Sequence, residues 1–325
     1  MDFRNEIFNI TSEMDFNQAT IEIFRFQSIH NPVYHDFIQA LKIDPSRINH
    51  FTEVPFLPIS FFKTHKVSCN PDKPEIIFSS SGTTGMVKSK HYISDLKIYN
   101  ESIIQGFTHF FGDPRGFMIL ALVPEPTGFS GSSLGYMTNL LMEEAHPGQR
   151  YFFLGDFKGL LDLIQVADSV SRKVMLIGLS SQLLDFFEFC RCEFPELIII
   201  ETGGMKGKRK ELIREELHSE IRSLTGIHKV YSEYSMTELL SQSYSSGNGL
   251  FRTPPWMKIL IRDTHDPLSL VENDRTGGIN IIDLANYNSC SFIATQDLGR
   301  WHGDQGFEVL GRFDESDVRG CNLLS

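Results

Sequence analysis

The sequence predicts an α/β protein with a body of mostly parallel sheets and a small β subdomain after it. Three observations lead to this fold class. The apolar runs at residues 118–123, 174–179 and 197–200 show no polar/apolar alternation, which is typical of parallel strands covered by helices on both faces. Segments with helical spacing of apolar residues stand between these runs. From about residue 250 the pattern changes to short strands separated by turns.

The elements follow from local signals in order along the chain. Residues 1–50 have apolar positions at helical spacing, and Pro55 and Pro58 end this helical region in an extended stretch. Ser94 is a candidate N-cap for a helix that runs to about residue 110. Strands are predicted at 75–80, 88–94, 117–123, 174–179, 197–204 and 228–235, with short strands at 257–263, 278–283, 291–294 and 306–310. Further helices are predicted at 134–144, 181–192 and 208–225. The predicted segments are an N-terminal helical segment (1–50), an α/β body (51–250), a small β subdomain (251–310) and a hinge-like tail (311–325).

Charge and cysteine content restrict the partners and the compartment. The 325 residues include 30 Lys and Arg against 41 Asp and Glu, a net charge of −11, which disfavours nucleic acid and anionic membrane surfaces as partners. An odd number of cysteines, five, argues against a disulfide framework. Cys190 and Cys192 lack the second pair that a zinc site needs. Together with the absence of a signal-peptide pattern or a long apolar run, these features predict a cytoplasmic protein without a membrane span.

The loop SSSGTTGMVKSK (79–90) is the strongest local signal for chemistry. Gly82 and Gly85 allow the backbone to approach a ligand closely, and Lys88 adds a positive charge. Hydroxyl donors to phosphate oxygens come from Ser79, Ser80, Ser81, Thr83 and Thr84. The spacing differs from that of the P-loop, and the loop leads into a predicted strand rather than a helix. We therefore predict a phosphate-binding loop; the alternative is a Ser/Gly-rich surface turn.

The order of residues in this loop resembles the phosphate loop of the adenylate-forming superfamily, which includes acyl-CoA synthetases, peptide-synthetase adenylation domains and luciferases. Similar motifs of that family follow in the same order: ETGGMKG (201–207), YSEYSMTE (231–238), TQDLGR (295–300) and GRFDESD (311–317). The resemblance covers about three quarters of the chain. It implies two layered α/β subdomains with mostly parallel sheets, a small β subdomain, and ATP and Mg²⁺ as cofactors.

The resemblance also implies roles for individual residues. Tyr234 would stack on adenine, Thr237 would contact the phosphate or the carboxylate, and Glu238 would hold Mg²⁺ through its hard oxygens. Gly203 and Gly204 would lie against the adenine. Asp297 would bind the ribose hydroxyls, Arg312 would lie near the ribose, and Asp314 would be the hinge.

Each residue also has a structural interpretation without a ligand. Glu238 alone would be a carboxylate at a helix N-terminus, and Asp297 alone a turn residue. Tyr234 alone would belong to the core, and His91 would be structural or line the pocket rather than act as a base. The order of the motifs, rather than any single residue, favours the adenylate-binding interpretation.

The sequence departs from the family pattern at several positions. Val87 replaces the usual proline and Gln296 the usual glycine. The family continues beyond the hinge as a mobile C-terminal domain that carries a catalytic lysine, whereas this chain stops at Ser325. We therefore expect no such lid domain. Candidate cations to replace its lysine are Lys90, Lys206 and Lys208.

One branch of the superfamily resembles this chain more specifically. The segments FRFQSIHNPVYHDF (24–37), VPFLPISFFK (54–63) and DVRGCNLLS (317–325) are similar to those of acyl-protein synthetases, the fatty-acid-activating subunits of the bacterial luminescence reductase. In that branch the acyl group passes from AMP to a cysteine near the C-terminus and then to a partner acyl-CoA reductase. Cys321 fits this role, and Arg319 would favour its thiolate.

The resemblance implies an acid–thiol ligase with two half-reactions. ATP and a carboxylic acid form acyl-AMP, with Lys88 and the loop neutralising phosphate charge and Glu238 holding Mg²⁺. The acyl group then passes to sulfur. Abundant Phe and a segment at the family's acyl pocket weakly favour an apolar, fatty acid; that segment contains Phe129, Gly131, Ser132, Ser133 and Gly135. Two alternatives remain: a phenylacetate-type acyl-CoA ligase, and a non-catalytic adenylate-binding regulatory subunit.

Overall fold

The computed structural model describes residues 3–80, 87–126, 130–169, 172–203 and 213–313. The chain forms two compact units. The first unit combines Met1–Lys73 with Pro255–Ser325, and the second comprises Pro74–Pro254. The predicted sites at Ser81, Gly82, Thr83, Thr84, Gly85, Gly204 and Cys321 lie outside the described residues, as do Lys206, Lys208 and Asp314.

The bounds of the regular elements are as follows. The helices are α1 (Arg4–Phe8), α2 (Glu13–His30), α3 (Pro32–Ala40), α4 (Phe61–Thr64), α5 (Leu96–Phe111), α6 (Ser133–Ala145), α7 (Phe157–Ser169), α8 (Ser180–Cys190) and α9 (Arg214–Thr225). The strands are β1 (Leu57–Pro58), β2 (Ile76–Ser79), β3 (Lys90–Ile93), β4 (Met118–Leu122), β5 (Ser130–Gly131), β6 (Val174–Leu179), β7 (Ile198–Thr202), β8 (Val230–Tyr234), β9 (Ser243–Ser245), β10 (Leu250–Arg252), β11 (Met257–Arg262), β12 (Thr276–Asp283), β13 (Phe292–Trp301) and β14 (Phe307–Arg312). Short 3₁₀ turns join several of these elements.

The first unit contains an antiparallel sheet formed by the last part of the chain. Strands β11 to β14 are neighbours in sequence order, and β1 pairs in parallel with β13. The turns that the sequence contains between these short strands allow this meander. Ser12 is the N-cap of α2, and its side chain accepts a hydrogen bond from the Asp15 backbone N–H in a capping box. Asn31 caps α3, which has Pro32 at its first position.

A buried glutamine joins α2 to the chain around β13. The Gln27 side-chain amide donates to the carbonyl oxygens of Tyr287 at 2.9 Å and Asn286 at 3.2 Å. Its oxygen accepts the Ser291 backbone N–H at 3.1 Å. Since Gln27 is fully buried, removing it leaves several backbone groups without partners.

We therefore expect Gln27→Leu to lower the free energy of unfolding by about 3 kcal/mol, because buried orphaned amide groups are costly. Urea unfolding followed by circular dichroism measures the change. Gln18→Leu on the exposed face of the same helix is the matched control, with an expected change within about 0.5 kcal/mol. Equal losses in the two variants would contradict the role of the buried contacts.

The second unit contains the parallel sheet that the sequence predicts. Strands β4, β6, β7 and β8 pair in parallel in that order, and β9 and β10 continue antiparallel from β8. Helices lie between successive parallel strands in the chain, as crossover connections require. A second sheet has the order β3–β2–β5.

The core of this unit explains the unbroken apolar runs. All five residues of β4 are buried, as are the first five of β6. Side chains from α8 and α9 pack on the sheet, including Leu183, Phe187, Leu217 and Ile221. The α/β class and the mostly parallel body sheet are thus confirmed.

Some elements differ from the sequence prediction. Helix α7 and strands β5, β9 and β10 were not predicted. The N-terminal region, predicted as helical, consists of three helices followed by 3₁₀ turns. Breaks at Ser12 and at Asn31-Pro32 cause this division, because each position caps a new helix. The four-segment division of the chain stays a prediction.

Candidate functional site

The Ser/Gly/Thr loop connects two antiparallel strands. Ser79 of β2 pairs with Lys90 of β3. At the base of the loop the Ser80 N–H donates to the Ser89 carbonyl at 3.1 Å, and the Ser89 N–H donates to the Ser80 hydroxyl at 3.0 Å. Lys88 is exposed next to this base. The loop is therefore the connection of a β-hairpin, unlike the strand-to-helix connection of a P-loop.

A histidine joins this hairpin to the motif YSEYSMTE. His91 is fully buried on β3, and its Nδ1 lies 2.8 Å from the Thr237 carbonyl oxygen. The contact brings the strand that leaves the loop to the turn carrying Thr237 and Glu238.

The end of β8 presents three of the predicted site residues. Tyr234 is the last residue of β8, is 8% exposed, and has its ring centroid 5.8 Å from that of Phe251. Thr237 is half-buried in the following turn. Glu238 follows with only 5% of its surface exposed. A carboxylate at such depth is costly without compensating charge or hydrogen bonds.

The end of the neighbouring strand β7 is positioned by a serine. The Ser180 hydroxyl, at the start of α8, lies 2.7 Å from the Gly203 carbonyl oxygen and 3.0 Å from Glu201 Oε2. Gly203 has φ of +70°, a conformation that favours glycine. In a parallel sheet the carboxyl ends of β7 and β8 lie at one edge, where ligands of open α/β sheets bind.

Glu201 is the centre of a buried charge cluster that the sequence prediction missed. Its Oε1 lies 3.1 Å from Arg214 Nε and 3.6 Å from His218 Nε2. His218 Nε2 also lies 3.2 Å from the Ser232 hydroxyl. Burial acts to raise the pKa of Glu201, but His218, Arg214 and Ser232 outweigh it, so the pKa is lowered and the group is ionised. The signal was present in the chain as a charged residue inside the apolar strand IIIET.

We expect Arg214→Met to lower the free energy of unfolding by about 2–3 kcal/mol at pH 7, because it leaves a buried carboxylate without its guanidinium. The lowered pKa of Glu201 means that its stabilisation is present above the ordinary value of 4.5 and is lost as pH falls through the folded value. The difference from wild type should therefore shrink below about pH 4.5. Denaturant unfolding at several pH values measures it.

Arg222→Met on the same helix is the control for this change. Arg222 lies in the last turn of α9 and contributes through the helix dipole, an effect of about 0.5 kcal/mol. A loss for Arg214→Met that does not vary with pH would show that Glu201 is not the partner that matters.

In the first unit, the two residues predicted at the ribose form an ion pair with each other. Asp297 on β13 is the cross-strand partner of Arg312 on β14, and Arg312 Nε lies 3.4 Å from Asp297 Oδ1. The Arg312 side chain is 73% exposed and that of Asp297 12%. The Phe313 N–H donates to the Gln296 carbonyl at 2.8 Å, which extends the pairing to the last described residue. The pair therefore presents an exposed cation beside a largely buried carboxylate.

Within the described parts of the chain, no group of three or more His, Cys, Asp and Glu side chains could hold a metal ion. None of the helices described there is long and apolar enough to cross a membrane. Glu238 is therefore considered below as a metal ligand by itself, without a cluster of further protein ligands.

No protein-family model and no curated protein matches this chain. Solved structures do match. 2-Hydroxyisobutyryl-CoA ligase, in complex with 2-HIB-AMP and CoA, superposes with a TM-score of 0.68 at 15% identity, covering 93% of this chain and 70% of that one. ATP-bound MatB from Rhodopseudomonas palustris matches with a TM-score of 0.56 at 16% identity over 87% of this chain and 58% of that one. An ATP-bound RpMatB-BxBclM chimera matches with a TM-score of 0.56 at 17% sequence identity over 73% of this chain.

These likenesses confirm the fold that the motifs implied. The chain spans 47% of the chimera's length, 58% of MatB's and 70% of the hydroxyisobutyryl-CoA ligase's. These neighbours were solved with ATP or with 2-HIB-AMP and CoA, and at 15–17% identity they share the α/β fold with this chain.

Proposed function

We propose that this chain activates a carboxylic acid with ATP to form acyl-AMP and pyrophosphate. The observation that carries the proposal is the 2.8 Å contact between His91 and the Thr237 carbonyl. This contact joins the hairpin of the Ser/Gly/Thr loop to the turn that holds Glu238. Hydroxyls and backbone amides suit nucleotide phosphates, and a carboxylate suits a hard cation.

Each residue has a proposed task in this reaction. Lys88 and the loop residues Ser80, Ser81, Gly82, Thr83, Thr84 and Gly85 bind phosphate oxygens. Thr237 orients the phosphate or the attacking carboxylate. Tyr234, Gly203 and Gly204 bind the adenine, and Asp297 and Arg312 are proposed ribose ligands.

The oxygens of Glu238 suit Mg²⁺, which prefers carboxylate ligands. When bound, this ion neutralises charge on the phosphates. The carboxylate of the acid attacks the α-phosphorus, a C–O–P linkage forms, and the bond to pyrophosphate breaks. Lys90 is the described candidate for the further cation that the leaving pyrophosphate needs.

We further propose that a thiol receives the acyl group. The thiolate attacks the acyl carbonyl carbon of acyl-AMP, a thioester forms, and AMP leaves with the bonding electrons. Similarity to acyl-protein synthetases favours Cys321 as this thiol, a fatty acid as substrate, an acyl-CoA reductase as the next acceptor and the cytoplasm as the location.

Carboxylate-dependent exchange of labelled pyrophosphate into ATP tests the first half-reaction. The purified chain should catalyse exchange with at least one acid in a panel of chain lengths when Mg²⁺ is present, and none without acid. ATP binding without exchange for any acid would overturn the proposal and would favour a regulatory adenylate-binding subunit.

Coenzyme A is the second candidate acceptor, because a structural neighbour was solved with CoA and an acyl-adenylate. Adding CoA to the exchange mixture and separating the products distinguishes the two. Acyl-CoA as the main product would favour a CoA ligase, whereas protein-bound acyl groups would favour transfer to cysteine.

A further inference from the structure

A buried arginine in the first unit lies beside the motif TQDLGR. Arg262 is the last residue of β11, and only 9% of its surface is exposed. A guanidinium at this depth is costly unless its N–H groups are paired. Replacing buried charges by apolar side chains is often neutral or stabilising, so stability alone is a weak reason to keep one. The contacts of this guanidinium indicate a second reason.

The guanidinium of Arg262 extends from β11 across β12. Arg262 is directly opposite Gly278 in the antiparallel register of these strands. A Cβ atom on Gly278 would lie 2.7 Å from Arg262 Nη2 and 2.8 Å from Arg262 Nε, well inside van der Waals contact. The missing side chain at Gly278 therefore leaves the space that the guanidinium occupies.

Strand β13 has a bulge at the position that the guanidinium reaches. The pairing of β12 with β13 shifts between Gly278 and Asn280. Across this shift the β13 residues 295–297 are opposite one residue of β12, Ile279. A bulge bends its strand and changes the direction of the side chains that it carries. Because the last residue of this bulge is the proposed ribose ligand Asp297, the direction of that carboxylate depends on the bulge geometry.

Arg262 binds both strands of the bulge. Its Nη2 donates to the Thr295 carbonyl at 2.6 Å. Its Nη1 donates to the Ile279 carbonyl and to Asn280 Oδ1, each at 2.9 Å. A guanidinium is planar and its N–H groups point in fixed directions. These bonds therefore fix the bulged segment of β13 relative to β12.

Hydrogen bonds continue from this guanidinium to Asp297. The Thr295 hydroxyl donates to the Ile279 carbonyl at 2.9 Å, which is the same oxygen that accepts from Arg262. The Asp297 backbone N–H donates in turn to the Thr295 hydroxyl at 3.1 Å. The backbone of Asp297 is thus held through Thr295 to the group that Arg262 binds.

The same guanidinium also contacts the chain after the second proposed ribose ligand. The ring centroid of Phe313 lies 5.4 Å from Arg262 Cζ, which is within the range of a cation–π contact. Phe313 directly follows Arg312. Arg262 therefore contacts the segments that carry both Asp297 and Arg312.

We propose that Arg262 is a positioning residue that sets the direction of the Asp297 carboxylate for the ribose hydroxyls of ATP. The assignment rests on the proposed function, in which Asp297 binds the ribose. Arg262 acts through the bulge and does not bind the nucleotide itself. A hydrogen bond weakens steeply when its angle departs from linearity, so a carboxylate must be held in place to accept from two adjacent hydroxyls. Loss of the guanidinium should therefore weaken ribose recognition and leave phosphate and adenine contacts intact.

Nucleotides with and without the ribose hydroxyls test this role. Isothermal titration calorimetry with Mg²⁺ gives the Kd values of ATP and of 2′,3′-dideoxy-ATP. The wild type should bind ATP about tenfold or more tightly, because hydrogen bonds to a charged group contribute that much. Arg262→Met should lower this preference to about threefold or less by weakening ATP binding, since a misdirected carboxylate loses most of these bonds. The Kd of dideoxy-ATP should stay close to that of the wild type.

Three further variants separate positioning from a loss of stability. Gly278→Ala keeps Arg262 but puts a Cβ atom where the guanidinium lies, so it should also lower the preference. Adding Arg262→Met to Asp297→Ala should lower the preference no further, because both changes act through one carboxylate. Gln27→Leu is the control, since it removes buried contacts in the same unit and should keep the wild-type preference. Circular dichroism melts establish that each variant is folded, and Gly278→Ala decides the question should Arg262→Met fail to fold.

The outcomes distinguish this role from the proposed function. A wild-type preference in folded Gly278→Ala and Arg262→Met, or an equal loss of preference in Gln27→Leu, would overturn the positioning role alone. Equal binding of both nucleotides by the wild type would overturn the ribose role of Asp297 and with it that of Arg262. Binding of neither nucleotide would overturn the proposed function as well. The expected preference without pyrophosphate exchange for any acid would support Arg262 and overturn acid activation.

Discussion

Glu238→Ala should reduce carboxylate-dependent pyrophosphate exchange by about 10²–10³-fold or more, since a single electrostatic contact to transferring charge contributes that much. Glu238 is 5% exposed and follows Thr237, whose carbonyl contacts His91. Its carboxylate is the proposed Mg²⁺ ligand. Removing it should abolish charge neutralisation at the phosphates and leave the His91–Thr237 contact between hairpin and turn in place.

The matched control is Glu215→Ala, which removes an exposed carboxylate from α9 in the same unit. It should retain exchange close to wild type. Raising the Mg²⁺ concentration should partly restore activity in Glu238→Asp, which keeps a shorter carboxylate, and not in Glu238→Ala. Exchange at the wild-type rate in folded Glu238→Ala would refute the role of this residue.

The parallel strands could be predicted because a strand buried on both faces has an unbroken run of apolar residues. Strands β4 and β6 are apolar at nearly every position, and the Ser/Gly/Thr loop stands out by composition. Helix α7 is more amphipathic than α6 and α8, yet it was not predicted, because Gly159 lies in its first turn and its start resembles a loop.

The buried polar groups could not be predicted in the same way. Arg214 and His218 on α9 reach Glu201 on β7 through tertiary packing. The spacing of these three residues in the chain shows no pattern from which the cluster could be predicted. Asp297 and Arg312 are paired by a register that contains an irregularity between Leu298 and Gly299. Local sequence does not specify such a register. Contacts set by tertiary packing therefore had to be read from the structure.

The structure also bears on which thiol can accept an acyl group, because only a thiolate attacks efficiently. Burial raises the pKa of Cys69 to about 12. Cys290 is fully buried and its pKa is raised further by the same cause. Burial also raises the pKa of Cys190. The Cys192 thiol donates to the Cys190 carbonyl at 3.0 Å. The described cysteines are therefore poor nucleophiles or engaged thiols, which favours Cys321 as the proposed acceptor.

Cys321→Ser should eliminate the covalent acyl-enzyme while pyrophosphate exchange continues. A serine hydroxyl is far less acidic than a thiol, so it does not form the nucleophilic anion at neutral pH. Intact-protein mass spectrometry after incubation with ATP, Mg²⁺ and an active acid measures the added acyl mass. Hydroxylamine should release that mass if it is held as a thioester.

Cys192→Ser is the matched control and should still be acylated. Acylation of Cys321→Ser at full stoichiometry would place the acceptor elsewhere. Acyl-AMP formation with no acylation of the wild type would favour a diffusible thiol such as CoA as the acceptor.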